Sequence, residues 1–210
     1  MSLNKNGCDT LARTPNEKQR RAKEAKILDS ARLVFCRKGY LDVTMKDIIE
    51  ECGISRGGIY LYFSSVEEIY REVVARRNKS KFEAVRKSIE ENVEFLSLLD
   101  SYFATQKERL LHMENSLLRS MYEYLFSREG GDDRAFRSAQ LENIRRSVLE
   151  ILRLGVRQNA IRDENIPVLA DHFMFVIEGL SVLALVGGLT EQNLDDQFSL
   201  MKSMLRQEGR

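Results

Sequence analysis

The sequence predicts an all-α protein built as two helical units, and three observations predict it. Apolar residues recur at the helical spacing i, i+3, i+4 and i+7 through most of the 210 residues. Helix stop and start residues punctuate those stripes: Gly39 and Gly53 after two of them, and Thr44, Ser55 and Ser65 ahead of the next. A run with strand-like composition, IYLYF at 59–63, stands isolated among helical patterns and would have no strand to pair with. The length suffices for two modest helical units with a real core.

Residues 1–16, with Asn, Gly, Thr and Pro15, read as a disordered leader. The densest basic cluster follows, EKQRRAKEAK at 17–26, and such a run taken alone is a solvated helix face. Ile27, Leu28, Ala31, Val34 and Phe35 then form the stripe of a first helix, with Gly39 at the position after its end. Met45, Ile48, Ile49 and Cys52 form the next stripe. Thr44 stands where its hydroxyl caps that helix, with Asp47 three residues on as a weak capping-box partner. Gly53 supplies the left-handed conformation that ends the helix, and Ser55 caps a new one only two residues later. Two helices joined so closely cross at a steep angle, which is the helix-turn-helix arrangement.

The second of these helices breaks local rules, because Gly57 and Gly58 each cost about 1 kcal/mol relative to Ala in a helix interior. Such penalties often mark functional positions. In a helix that reads DNA, glycines remove bulk so that backbone N–H groups approach phosphates and base edges. Arg56 is then placed for a guanine edge or a phosphate, and the hydroxyls of Tyr60 and Tyr62 for phosphates. Ile59 and Phe63 pack back on the preceding helix. The competing reading makes SRGG a turn and IYLYF a short strand. The flanks argue against it, since Ser65 and Glu68 form an S-x-x-E capping box ahead of Val66, Ile69, Tyr70, Val73 and Val74.

Residues 17–64 are thus the expected helix-turn-helix domain, and 65–210 a larger helical domain joined to it by a helix at 65–80. The further helices are expected at 94–112, 115–127, 133–159, 165–187 and 191–206. SREGGDD at 127–133 interrupts them, and Asn165 with Pro167 marks a helix start. From Phe173 to Leu189 the only charged residue is Glu178, a stretch too short and too interrupted for a membrane span. A helix apolar nearly all round is buried on several sides. Leu194, Phe198, Met201 and Leu205 give the last helix its stripe.

Net charge is only +1 but is unevenly spread. Residues 1–80 hold 16 Lys/Arg against 11 Asp/Glu, and residues 81–210 hold 17 against 21, which places a basic end on an acidic body and suits a protein that sets one end on DNA. Cys8, Cys36 and Cys52 are 28 and 16 residues apart, with His112 and His172 distant, so no metal-ligand spacing appears. Cys36 and Cys52 read as reduced core residues of a cytoplasmic protein. Both histidines are isolated, and no nucleophile elbow, carboxylate pair or cofactor motif is visible, so neither an enzyme nor a cofactor is expected.

The run ILDSARLVFCRKGYLDVTMKDIIEECGISRGGIYLYFSSVEEIY, from Ile27 to Tyr70, resembles the N-terminal DNA-binding domain of the TetR family of bacterial transcriptional regulators. The shared pattern is an apolar helix ending in Gly, a Thr opening the next, a Gly-apolar-Ser turn, then Gly-x-apolar-Tyr-x-aromatic-Phe. The resemblance implies that Thr44, Ser55, Tyr60 and Tyr62 hold phosphates while Arg56, Gly57 and Gly58 approach bases. One departure is Val66, where the family usually carries a phosphate-binding Lys; Lys46 and the basic arm are the nearest substitutes.

Read alone, the last two helices complete the core of one chain; the resemblance instead implies a homodimer on a palindromic operator, paired through them at Phe173, Leu180, Leu194, Phe198, Met201 and Leu205. With no membrane span in the sequence, no membrane partner is expected. A symmetric dimer sets two recognition helices in major grooves about 34 Å apart. An effector pocket is expected between the two ends, with Tyr102, Tyr122, Phe126, Phe173 and Glu178 as its residues. Glu178 is the sharpest of these, because a carboxylate on an apolar helix needs an Arg, a His or a cationic ligand beside it. The expected function is ligand-released repression. The alternatives are a DNA-binding factor without a small ligand, and a helical ligand-binding protein with a vestigial helix-turn-helix.

Overall fold

The computed structural model describes residues 15–113, 116–127 and 130–205, and among them it contains nine helices and no strand. In chain order these are α1 Pro15–Lys38, α2 Met45–Cys52, α3 Arg56–Tyr60, α4 Val66–Glu90, α5 Phe95–Leu111, α6 Leu118–Ser127, α7 Gly131–Arg157, α8 Ile166–Leu185 and α9 Glu191–Ser203. Most of the expected leader, residues 1–14, lies outside the described residues, and α1 opens at Pro15.

Local capping sets α2, α3 and α4. Thr44 Oγ1 accepts from Asp47 N at 3.3 Å, and the Asp47 carboxylate accepts from Thr44 N at 2.8 Å, a reciprocal pair of the kind worth about 1 kcal/mol. Gly53 closes α2 at φ 62° and donates its N–H to Ile49 O at 3.0 Å. Ser55 accepts from Gly58 N at 3.2 Å to open α3. At α4, Ser65 Oγ accepts from Glu68 N at 3.1 Å, but the Glu68 carboxylate reaches one residue further back than a capping box requires, to Ser64 N at 2.7 Å.

The helix expected at 65–80 continues to Glu90. Its second half carries a sparse stripe of Phe82, Val85 and Ile89, of which Val85 and Ile89 pack on the second core, alongside exposed i,i+4 pairs such as Arg86–Glu90 at 3.1 Å. It ends where Asn92 turns left-handed at φ 54°. The helix expected at 165–187 runs Ile166–Leu185. With 20 residues and a mean hydropathy of 1.8 it is long and apolar enough to cross a membrane by length and composition alone. It packs against α5, α6, α7 and α9, burying Ile166, Ala170, Phe173, Ile177 and Leu180.

Two apolar cores result. The first joins Ile27, Val34 and Phe35 of α1 to Ile48, Ile59, Phe63, Ile69 and Tyr70, and it also takes Leu117 and Tyr124 from the opposite half of the chain. Tyr40, Tyr70 and Tyr124 stack about one another there, with ring centroids 4.8–5.0 Å apart. The second core is built on Phe95, Leu99, Phe103, Ile151, Leu152, Phe173, Leu194 and Phe198. Helix α6 lies between them.

Candidate nucleic-acid interface and ligand cavity

The helix-turn-helix presents a ridge of exposed side chains on and around α3. Ile59 and Phe63 anchor it in the first core, which turns Arg56, Gly57 and Tyr60 outward. Arg56 lies over the Tyr60 ring at 5.8 Å, so the ring steadies the guanidinium without taking its hydrogen-bond donors. Tyr62 is half-buried beside them. Thr44 and Ser55 are exposed but occupied as caps; Thr44 donates its hydroxyl proton to Asp47 at 2.7 Å, so a phosphate has to displace that carboxylate to receive it. The Lys38 ammonium and then the Thr44 groups hold the half-buried Asp47 carboxyl down to about 2.

The glycines of α3 differ. A Cβ at Gly57 would meet nothing, whereas one at Gly58 would press on Ile54 Cγ2 at 2.8 Å and Ser55 Oγ at 3.1 Å. Only Gly58 has a packing reason to lack a side chain. Leu61 was not anticipated: it is 79% exposed at the end of α3, where an apolar tip suits a thymine methyl or a sugar. Its signal is an apolar residue out of register with Ile59 and Phe63.

Val66 packs against the first core. Gln19, Arg20 and Lys23 of α1 form a shallow cleft with Leu61 and Tyr62, which brings the basic arm beside α3. Lys46, on α2, is exposed, 3.7 Å from Glu50.

In the other half of the chain, α4 to α8 enclose a cavity of about 380 Å³. Tyr102, Tyr122 and Glu178 line it as expected. Phe126 does not, being 80% exposed on the outer side of α6, and Phe173 is fully buried in the second core against Phe103. Both misplacements have one origin, since the stripe of an aromatic-rich helix does not tell which face turns to a hollow and which to a packed neighbour.

The same holds for Leu180, Leu194, Phe198, Met201 and Leu205, expected with Phe173 at a subunit interface. All are buried inside the single chain. The large apolar residues that α8, α9 and their C-terminal ends leave open are Val168, Phe175, Val182, Leu183, Val186, Leu200 and Met204.

Glu178 accepts from Tyr122 Oη at 2.9 Å. Burial, then the nearby carboxylate, pushes the Tyr122 phenol up, and burial does the same to Tyr102. Sequence reasoning missed the cations of this cavity: Arg77 and Lys81 of α4, Arg109 of α5 and Arg137 of α7. They passed for solvated helix surface. The available signal was Arg77 and Lys81 one turn apart on α4.

Helix α6 divides its faces between cavity and first core. Leu118 and Tyr122 line the cavity, Tyr124 is packed among the residues of the helix-turn-helix together with Leu117 just ahead of α6, and Met121 and Leu125 touch both. Glu123 accepts from the backbone N–H groups of Tyr40 at 2.5 Å and Leu41 at 3.2 Å, in the turn between α1 and α2. Arg71 of α4 donates to Tyr124 Oη at 2.7 Å and to Asp133 at 2.6 Å, tying α4, α6 and α7 together. Among the described residues no group of three or more His, Cys, Asp or Glu could hold a metal ion.

Residues 27–73 match the family of bacterial regulatory proteins designated tetR. The chain is 38% identical to the uncharacterised HTH-type transcriptional regulator YfiR of Bacillus subtilis over 112 residues, 53% of this chain and 54% of that protein. It is 31% identical to the fatty acid metabolism regulator protein of the same organism over 134 residues, 64% and 59% of the two chains. The chain thus spans about half the length of these curated relatives. Among solved structures, a protein from Saccharomonospora viridis described as a transcriptional regulator, in complex with choline, is similar with a TM-score of 0.69 and 22% identity, over 85% of this chain and 94% of that one. At that identity the likeness is one of fold.

Proposed function

Because this chain belongs to the TetR family of bacterial transcriptional regulators, we propose that it is a repressor that binds a palindromic operator as a homodimer and is released by a small molecule in the α4–α8 cavity. The observation that carries the proposal is the double role of α6, whose two faces belong to the cavity and to the DNA-binding core. A ligand that displaces Met121 or Tyr122 moves Glu123 and Tyr124 with them, because a ten-residue helix shifts as a unit. The α1–α2 turn and α4 then follow, and the spacing between the two recognition helices of a dimer changes. The effector has to bind the released state better than the DNA-bound one, and DNA weakens effector binding by the same factor.

In this reading Arg56 with Gly57 and Gly58 faces base edges, while Thr44, Ser55, Tyr60 and Tyr62 position the backbone. Arg20 and Lys23, beside Tyr62, take over the phosphate that Val66 cannot hold; Lys46 contributes from the far side of the unit. The protein acts in the cytoplasm, without a membrane and without catalysis. The choline bound in the Saccharomonospora protein supports a small-molecule effector in a fold of this kind.

The test is fluorescence anisotropy on DNA from upstream of the chain's own gene, at one stated salt concentration. Specific binding is expected in the wild type. Arg56→Ala is expected to relax base preference, and Tyr60→Phe to weaken all sequences about equally. Wild-type binding by both variants removes this assignment, and binding without sequence preference removes the operator.

A further inference from the structure

The lining of the cavity combines cationic and apolar side chains. Arg77, Lys81 and Arg109 come together there from α4 and α5, near enough that Arg77 and Arg109 both depress the Lys81 ammonium and Arg109 depresses the Arg77 guanidinium, in each case after burial as the larger cause. Glu178 is the one carboxylate among the lining residues, and it already receives the Tyr122 hydroxyl at 2.9 Å. Arg109 gives one terminal nitrogen to Ser181 Oγ at 3.0 Å, but its Nε is buried with no hydrogen-bond partner. A buried guanidinium donor left unpaired is costly in a finished protein and normally has a partner. Leu98, Leu118, Met121, Leu125, Ile144 and Ile177 supply the apolar remainder.

We infer that this cavity takes a small amphipathic anion, its carboxylate or phosphate head held among Arg77, Lys81 and Arg109 and its apolar body lying against α6 and α7. Such a head supplies the acceptor that Arg109 Nε lacks and offsets the excess of positive charge, and guanidinium groups are suited to both anions by their planar donor geometry. A quaternary ammonium ligand would meet that excess with only one carboxylate to answer it. The apolar body would rest on Met121 and Leu118, the cavity face of α6, so the inference depends on the proposed role of the cavity as effector site for its regulatory meaning but not for its chemistry.

The test is isothermal titration of the full chain with dodecanoate, dodecyl phosphate, dodecanol and dodecyltrimethylammonium, each kept monomeric. The two anions are expected to bind, with the stronger identifying the head, and the alcohol and the ammonium at least tenfold more weakly. Arg109→Gln is expected to weaken the anions at least tenfold with little effect on dodecanol; Lys81→Met, at an exposed position, serves the same comparison with less demand on folding. Equal binding of the ammonium or the alcohol, no heat from either anion, or anion binding unchanged in both variants overturns the inference. Operator affinity in the same samples separates the two claims. An anion that binds through Arg109 yet leaves operator affinity unchanged retains the ligand class and removes the effector role, whereas operator release by the ammonium alone does the reverse.

Discussion

Gly57 and Gly58 are adjacent and chemically identical, yet their surroundings call for different outcomes. Alanine at Gly57 meets open space and gains helix propensity, so Gly57→Ala is expected to raise stability by up to about 1 kcal/mol, read as a higher melting temperature. The same methyl stands on the face proposed for bases, so operator affinity is expected to fall about tenfold, or about 1.4 kcal/mol. Gly58→Ala instead compresses Ile54 and the Ser55 cap, with an expected loss of about 1–3 kcal/mol in stability. A Gly57→Ala protein that melts higher and binds DNA normally would detach that residue from the interface. Lys81 gives a second residue-level expectation. It borders a hollow and so keeps accessible surface, but burial among protein atoms and then the charges of Arg77 and Arg109 push its ammonium down to about 6. The folded value lies below the unfolded one, so between about pH 6 and 10.5 the unfolded chain binds the extra proton and the penalty from Lys81 shrinks as pH rises. Lys81→Met is therefore expected to melt above wild type at pH 7, with the gap closing by pH 10; a gap that stays constant would contradict the shifted lysine.

At the level of elements, α6 is where the two cores meet, and Glu123 is its most direct link to the DNA-binding half. The carboxylate fills the space beside Gly39 that any Cβ would take, and it receives Tyr40 N, Leu41 N and Arg119 Nε at 2.6 Å. Glu123→Gln keeps the shape and removes the charge that makes those bonds strong. Operator affinity without ligand and ligand affinity without DNA are both expected to change little, while the factor by which one weakens the other shrinks; equal coupling in wild type and variant would assign the transmission elsewhere. None of this was legible in the sequence, because Glu123 pairs with residues 83 and 82 positions away. What was legible is local. Thr44, Gly53, Ser55 and Ser65 act within four residues of themselves, so the first helices could be read from their caps. The far half of α4 is harder to read, since Phe82, Val85 and Ile89 make only a sparse apolar stripe among Lys, Arg and Glu paired at i,i+4. The cavity was legible at Tyr102, Tyr122 and Glu178 and illegible at Arg77, Lys81 and Arg109, whose burial is decided by which other helix passes over them.

Across the whole molecule, the apolar surface left open by one chain bears on its assembly. Phe175, Gly179, Val182 and Val186 follow one another at three- and four-residue steps along α8, with Leu200 and Met204 on the neighbouring α9. Phe175 is 66% and Val186 73% exposed, an arrangement that a helix otherwise packed into a core leaves open only when another surface covers it. Gly179 has nothing within reach of a Cβ, which leaves room for close approach by a second helix. A second copy of the chain is the occupant that fits the proposed function, since two-fold pairing of α8 and α9 would link two copies of α3 and make the second half-site contact intramolecular. Phe175→Glu with Val186→Glu changes only exposed side chains, so the helical content and the α4–α8 cavity are expected to persist. The chain should then sediment at its own mass of 24.3 kDa instead of twice that value. Affinity for a two-half-site operator should drop on the order of 10² or more, while affinity for an isolated half-site stays near wild type. A double variant that still sediments as a dimer would place the pairing surface away from α8 and α9, and one that is monomeric yet binds the full operator as tightly as wild type would mean that each chain reads its half-site alone.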